Sequence, residues 1–156
     1  VTVPVLAVGD LFTATTENLI ANILNSIGTT MLFTPAGTTD TPGAGTATWV
    51  TLGTLTVPAW ATRTQVTVSC NRVYDIGTTA NVAVTLKVGT AAGGVTGRLS
   101  SLTSSGSQAF NQTWSDLVSG LSAGTQSVTL SATFTSGSVV RADANSRFTA
   151  AFIFLP

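Results

Sequence analysis

A chain of 156 residues is long enough to build one hydrophobic core, and so one domain, without help from disulfides or metals. Charged residues make up 8% of it, against about 25% in ordinary globular proteins, while hydrophobic residues reach 44% and the formal net charge is zero. Intrinsic disorder is excluded, because it goes with low hydrophobicity and high net charge; the six Lys and Arg are scattered singly, so the basic stripe that a phosphate backbone requires is missing and nucleic acid is not an expected partner.

With so few charges, the surface has to be made of Thr, Ser, Ala, Gly and Asn. Net charge near zero favours association, so a neutral, Thr-rich skin points to a permanent homo-oligomer whose surface is covered by copies or partners. An extracellular or cell-wall β-domain is the alternative, since such domains are also poor in Lys and Glu. No apolar run approaches the roughly 20 residues that span a bilayer, and no basic segment followed by an apolar stretch opens the chain; neither membrane insertion nor an intact signal peptide is expected.

In chain order, Leu19, Ile20, Ile23, Leu24 and Ile27 recur at helical spacing, with Glu17, Asn18, Asn22 and Asn25 on other faces. Thr13 serves as N-cap and Gly28 as the stop, which predicts a helix over 14–27. Ile20, Leu24, Ile27 and Met31 have the four-three-four spacing of a seam between identical chains. The same stripe could equally pack against the chain's own β-domain, because two heptads do not make a coiled coil. Residues 1–33 are thus expected to be an anchoring arm, and the Pro-, Gly- and Thr-rich stretch 34–48 a linker or exposed loop; a β-domain would occupy 49–156.

From Trp49 onward the apolar period becomes two. Val66, Val68 and Cys70 alternate with Thr67 and Ser69; Val82 to Val88 and Val128 to Phe134 alternate likewise. Further strands are expected over 49–57, 108–117, 138–142 and 147–155. Short Gly-rich turns join them, and no second helix intervenes. The fold class read from this is all-β: an antiparallel β-sandwich or jelly roll preceded by one short N-terminal α-helix. In the last strand Phe148, Ala150, Phe152 and Phe154 share one face while Ile153 and Leu155 make the other apolar too. Burial on both faces is therefore expected, with this C-terminal edge against another copy or the helix.

The chemistry-bearing residues are sparse. The chain has no histidine, which removes the usual general base and the middle member of most nucleophilic triads. Asp10, Glu17, Asp40, Asp75, Asp116 and Asp143 stand singly, mostly in expected turns where Asp caps backbone N–H groups, so a glycosidase-type carboxylate pair is not expected. Gly89 to Gly97 lacks the Gly-Lys-Ser/Thr ending of a phosphate loop and reads as a turn. Asp143, Asn145 and Asp75 are too few for a calcium site. No catalytic residue, metal or cofactor is expected. The single cysteine, Cys70, lies in phase with Val66 and Val68 and reads as a small buried hydrophobe.

Trp49 and Trp114 fall inside strand patterns and read as core, and Asn111-Gln112-Thr113 as a chance match to a glycosylation acceptor. Trp60, in the segment VPAWATR, and Tyr74 are the candidate ligand contacts, because an aromatic face offers large area at low entropic cost.

The segment GDLFTATTENLIANILNSIG (Gly9 to Gly28) resembles the opening of many bacteriophage tail-fibre and minor tail proteins, in which a Gly-Asp or Gly-Glu pair precedes a Thr-Ala step and an Asn-containing helix. Gly9, Asp10, Thr13, Ala14 and Asn18 carry the likeness; Ala7 and Val8 stand where that family usually has a Trp. VPAWATRTQVTVS (Val57 to Ser69) and GLSAGTQSVTL (Gly120 to Leu130) are similar to strands of small phage virion sandwiches that often form trimers. The resemblance implies a non-catalytic virion component on the particle's exterior, tail-associated or capsid-decorating. It would be a homotrimer that docks on other virion proteins, with the helix at the anchoring end. Leu19, Ile20, Ile23, Leu24, Ile27, Met31, Ile153 and Leu155 are the candidate interface residues. A carbohydrate- or receptor-binding adhesion module recognising a host surface glycan is the competing expectation; an enzyme is the remote one.

Overall fold

The computed structural model describes residues 21, 29–76, 80–94, 97–100 and 109–156. The helix expected over 14–27, with Leu19, Ile20, Ile23, Leu24 and Ile27, lies outside the described residues except for Ala21, which is buried.

Among the described residues eleven strands follow one another: β1 (Thr29–Phe33), β2 (Thr39–Asp40), β3 (Thr46–Val57), β4 (Arg63–Asp75), β5 (Asn81–Val88), β6 (Ala91–Ala92), β7 (Gly97–Ser100), β8 (Ala109–Ser119), β9 (Gly124–Ser136), β10 (Val140–Ala142) and β11 (Arg147–Leu155). All pair antiparallel in two sheets. In the first, β4 has β8 along one side and β11 followed by β10 along the other, with β1 outside β11 and β2 outside β10. In the second, β9 lies between β3 and β5, and β6 and β7 share the far side of β5. The chain changes sheet from β2 to β3, β3 to β4, β4 to β5, β7 to β8, β8 to β9 and β9 to β10. The result is a β-sandwich.

The alternation read from the sequence is the physical basis of the core. Successive Cβ atoms point to opposite faces of a strand, so Val66, Val68 and Cys70 on β4, Val82, Val84 and Leu86 on β5, and Phe148, Ala150 and Phe152 on β11 are all fully buried between the sheets. Phe148 is the hub: the Trp49 ring meets it edge-on, with centroids 5.2 Å apart, and the Phe33 ring lies at 6.3 Å. Burial of Cys70 raises its thiol pKa, so it stays protonated and packs as a hydrophobe. Adjacent Trp49 and Val50 both point inward because β3 bulges between Thr48 and Val50. A second bulge falls at Gly53, whose φ of 135° suits only glycine.

The arm and linker boundaries expected from the sequence differ from the structure. Residues 29–33 are β1, hydrogen-bonded to β11, and the 34–48 stretch contributes β2 and the start of β3. Among the described residues the sandwich thus already includes Thr29–Phe33. Met31 is a strand residue packed on the core, and a Cβ on Gly53 would come within 3.1 Å of its Cε. Its helical spacing was coincidental, because Thr29 and Thr30 after Gly28 favour extended backbone. β11 is also not an edge: it lies between β1 and β4, and only its inner face is buried, Ile153 on the outer face being exposed.

Candidate functional site

The outward face of the first sheet carries the strongest features of the surface. Register places Ile153, Gln65 and Leu117 side by side across β11, β4 and β8. The next row is Thr30, Ala151, Thr67 and Ser115, and beyond it Leu32, Thr149, Ser69 and Thr113. Among the described residues, the exposed large hydrophobic side chains are Leu32 (68%), Ile153 (42%) and Leu117 (40%), and all three stand on this one face. Between them the hydroxyls pair across strands, Thr67 Oγ1 with Ser115 Oγ at 3.1 Å and Ser69 Oγ with Thr113 Oγ1 at 2.9 Å. No charged residue occupies these rows. The field is about 14 Å across four strands and about 13 Å along them from Gln65 to Ser69. Leu155, half-buried, extends it toward Arg63, whose Nε and Nη2 donate to the Pro156 oxygen. The opposite sheet is different. Its outer face is a threonine field, with Thr51, Thr54, Thr56, Thr125 and Thr133 exposed, into which Lys87 and Arg98 project.

At the far end of the first sheet the charges gather. Arg72, Arg141 and Arg147 are three of the chain's six basic residues, and Asp40, Asp143 and the buried Asp75 three of its six acidic ones. Arg141 on β10 pairs in register with both Asp40 on β2 and Tyr74 on β4. It holds Asp40 through two hydrogen bonds of 2.7 Å, from Nε and Nη2. This fork lowers the Asp40 pKa and raises that of Arg141. β4 bulges against β8 between Cys70 and Val73, which sets Arg72 beside Tyr74: its Nη2 donates to the Tyr74 hydroxyl at 3.4 Å. That contact, reinforced by Asp143, raises the Arg72 pKa and keeps it cationic. Arg147, exposed and opposite Asn71, donates from Nη1 to the Ala144 and Ser146 carbonyls. Asp143 Oδ1 accepts the Asn145 N–H, an Asx turn.

The sequence-derived candidates separate accordingly. Ile153 and Leu155 lie on the neutral face, Met31 in the core, and the helix residues outside the described region. Trp60, in the connection after β3, is half-buried against the core; Tyr74, also half-buried, sits at the opposite end of β4, about 40 Å away along a 13-residue strand. The two aromatics cannot form one site. Trp49 is buried as expected, while Trp114 is only half-buried, its ring filling the space where a Cβ on Gly97 would stand. Asp116 is buried under Gly93 in the same way, and among the described residues no acidic, cysteine or histidine cluster could hold a metal.

Arg72, Asn111, Arg141 and Asp40 were not read from the sequence as members of a site. One signal was present: the buried phase of β4 runs Val66, Val68, Cys70 and then Val73, an odd step that marks a bulge. Neither a protein-family model nor a curated protein matches the chain.

Proposed function

We propose that this chain is a non-catalytic structural subunit of a phage-type virion, tail-associated or capsid-decorating, that trimerises and docks on other virion proteins at the particle's exterior. The uncharged outer face bearing Leu32, Leu117 and Ile153 is the observation that carries it. Exposed Leu and Ile set among mutually hydrogen-bonded Thr and Ser present little that water must keep, and a net charge of zero leaves no long-range repulsion between copies. A second copy is therefore the fitting occupant. The field is smaller than the roughly 800 Å² per partner of a standard interface, so it acts as the dry centre of a larger contact.

The sandwich is on this reading a jelly roll. Its support is the strand order: four rows (β1 and β2; β10 and β11; β4; β8) face four rows (β3; β9; β5; β6 and β7), with the chain crossing between them. Jelly rolls serve capsid proteins and lectins alike, so the virion assignment draws on the likeness of residues 9–28, 57–69 and 120–130 to phage proteins. Sedimentation equilibrium tests the assembly: a particle of three 15.8 kDa chains is expected, and a monomer persisting at micromolar concentration overturns it. The charged end around Tyr74 favours a second reading, in which the same subunit also contacts a receptor glycan.

A further inference from the structure

Among the described residues, Arg72 is the one non-glycine residue with positive φ, at 55°. A side chain in this region is disfavoured by contact between Cβ and the backbone, a cost glycine avoids. Here an arginine is nonetheless held in place from one other strand and a turn. Its N–H donates to Asn111 Oδ1 at 2.8 Å, and its carbonyl accepts from Ser146 Oγ at 2.6 Å. The Ser146 hydroxyl in turn accepts the Asp143 N–H, so the β10–β11 turn and the β4 bulge are locked together. An unfavourable conformation kept by such a clamp fixes where the guanidinium emerges: on the exposed face, against the Tyr74 phenol.

Asp40 pairs with Arg141. Asp75, at the end of β4, is buried, so on the solvent side of this end Arg72 and Arg147 are exposed while Asp143 is only partly so. Among the described residues the Arg72 guanidinium makes one hydrogen bond, at 3.4 Å to the Tyr74 hydroxyl, so most of its five donors face solvent. Arg presents its donors as a planar fork that fits a carboxylate, and the neighbouring Tyr74 ring offers an apolar face to sugar C–H groups. Two exposed cations are too few for a polyphosphate backbone.

We propose that the Arg72–Tyr74 bulge is a binding site for a carboxylated saccharide, with Arg72 taking the carboxylate, Tyr74 packing against the sugar ring and Arg147 adding positive potential. The inference rests on the receptor-contact reading of this end and is independent of trimer formation.

Amide NMR titration of the full chain with N-acetylneuraminate and with D-glucuronate tests it, with N-acetylglucosamine and inorganic phosphate as comparators. At least one acidic sugar should give saturable shifts at Arg72 and Tyr74 at millimolar concentration, the neutral sugar none, and phosphate at least tenfold weaker ones. Arg72→Gly suits the left-handed backbone, so it should leave the remaining spectrum intact while weakening binding at least tenfold; in the wild-type protein the Arg72 Nε–H resonance reports the same contact without any substitution. Failure of both acidic sugars to saturate, equal binding of phosphate, an unmoved Arg72 Nε–H, or undiminished binding by Arg72→Gly each overturns the proposal. The oligomeric state, measured separately, is unaffected by any of these results.

Discussion

Replacing Leu32 and Ile153 together by serine should dissociate the assembly while leaving the sandwich folded. Full burial of a Leu or Ile side chain is worth about 1.5–3 kcal/mol. Leu32 is 68% exposed in the single chain, so roughly two-thirds of that, about 1–2 kcal/mol, remains to be gained in an interface. Ile153 at 42% exposure has about 0.6–1.3 kcal/mol left. The double variant therefore forfeits about 2–3 kcal/mol per protomer, a 30- to 150-fold loss in association at each contact. The fold loses only the part already buried, about 1.4–2.7 kcal/mol together. Sedimentation velocity across a concentration series reads the first effect, and urea denaturation of dissociated protein reads the second. An association constant unchanged by both substitutions refutes the assignment of this face, whatever oligomer the wild type forms.

Asn111→Ala removes the acceptor for the Arg72 N–H and should destabilise the fold by about 1 kcal/mol in urea denaturation, whereas Arg72→Gly should be close to neutral because relief of the left-handed strain offsets the added chain entropy. Gly97→Ala places a methyl 2.6 Å from Trp114 Cε3 and should cost about 1–3 kcal/mol by thermal unfolding; a wild-type midpoint would mean that the ring moves freely. The lowered Asp40 pKa makes its pairing with Arg141 a stabilising contribution that is complete above the ordinary carboxylate value of 3.8 and is lost as pH falls through the lower folded value. Because both side chains are about two-fifths exposed, Asp40→Asn should cost under about 1 kcal/mol at pH 7 and progressively less as pH falls below 3.8, as checked by denaturation across that range.

Much of the sandwich was legible because strand patterning is local. The Arg147–Leu155 strand was read to its observed bounds, and Val82 to Val88 to within one residue, since both alternate without interruption. β2, β6 and β7 were missed: strands of two to four residues carry too few side chains to show a period, and their backbone is extended because β10 and β5 offer hydrogen-bonding partners. β1 was hidden by Met31, whose spacing continued the helical stripe. The candidate site was legible only in its single residues. Ile153, Leu155 and Tyr74 could be chosen by type, but Leu32 reaches the face of Ile153 only through the pairing of β1 with β11, and Arg72 meets Asn111 and Ser146, 39 and 74 positions away, only across a bulge.

By itself the sequence determined that the chain would be a neutral-skinned β-sandwich with a Val, Leu and Phe interior, because side-chain direction along a strand depends only on the parity of neighbouring residues. Tertiary structure alone decided which strands are neighbours. It put β11 inside the sheet, gathered the exposed Leu and Ile on one face and three of the five arginines at one end, and fixed a left-handed Arg72 with hydrogen bonds from a distant strand and a distant turn. Register is a long-range choice, and no local period encodes it.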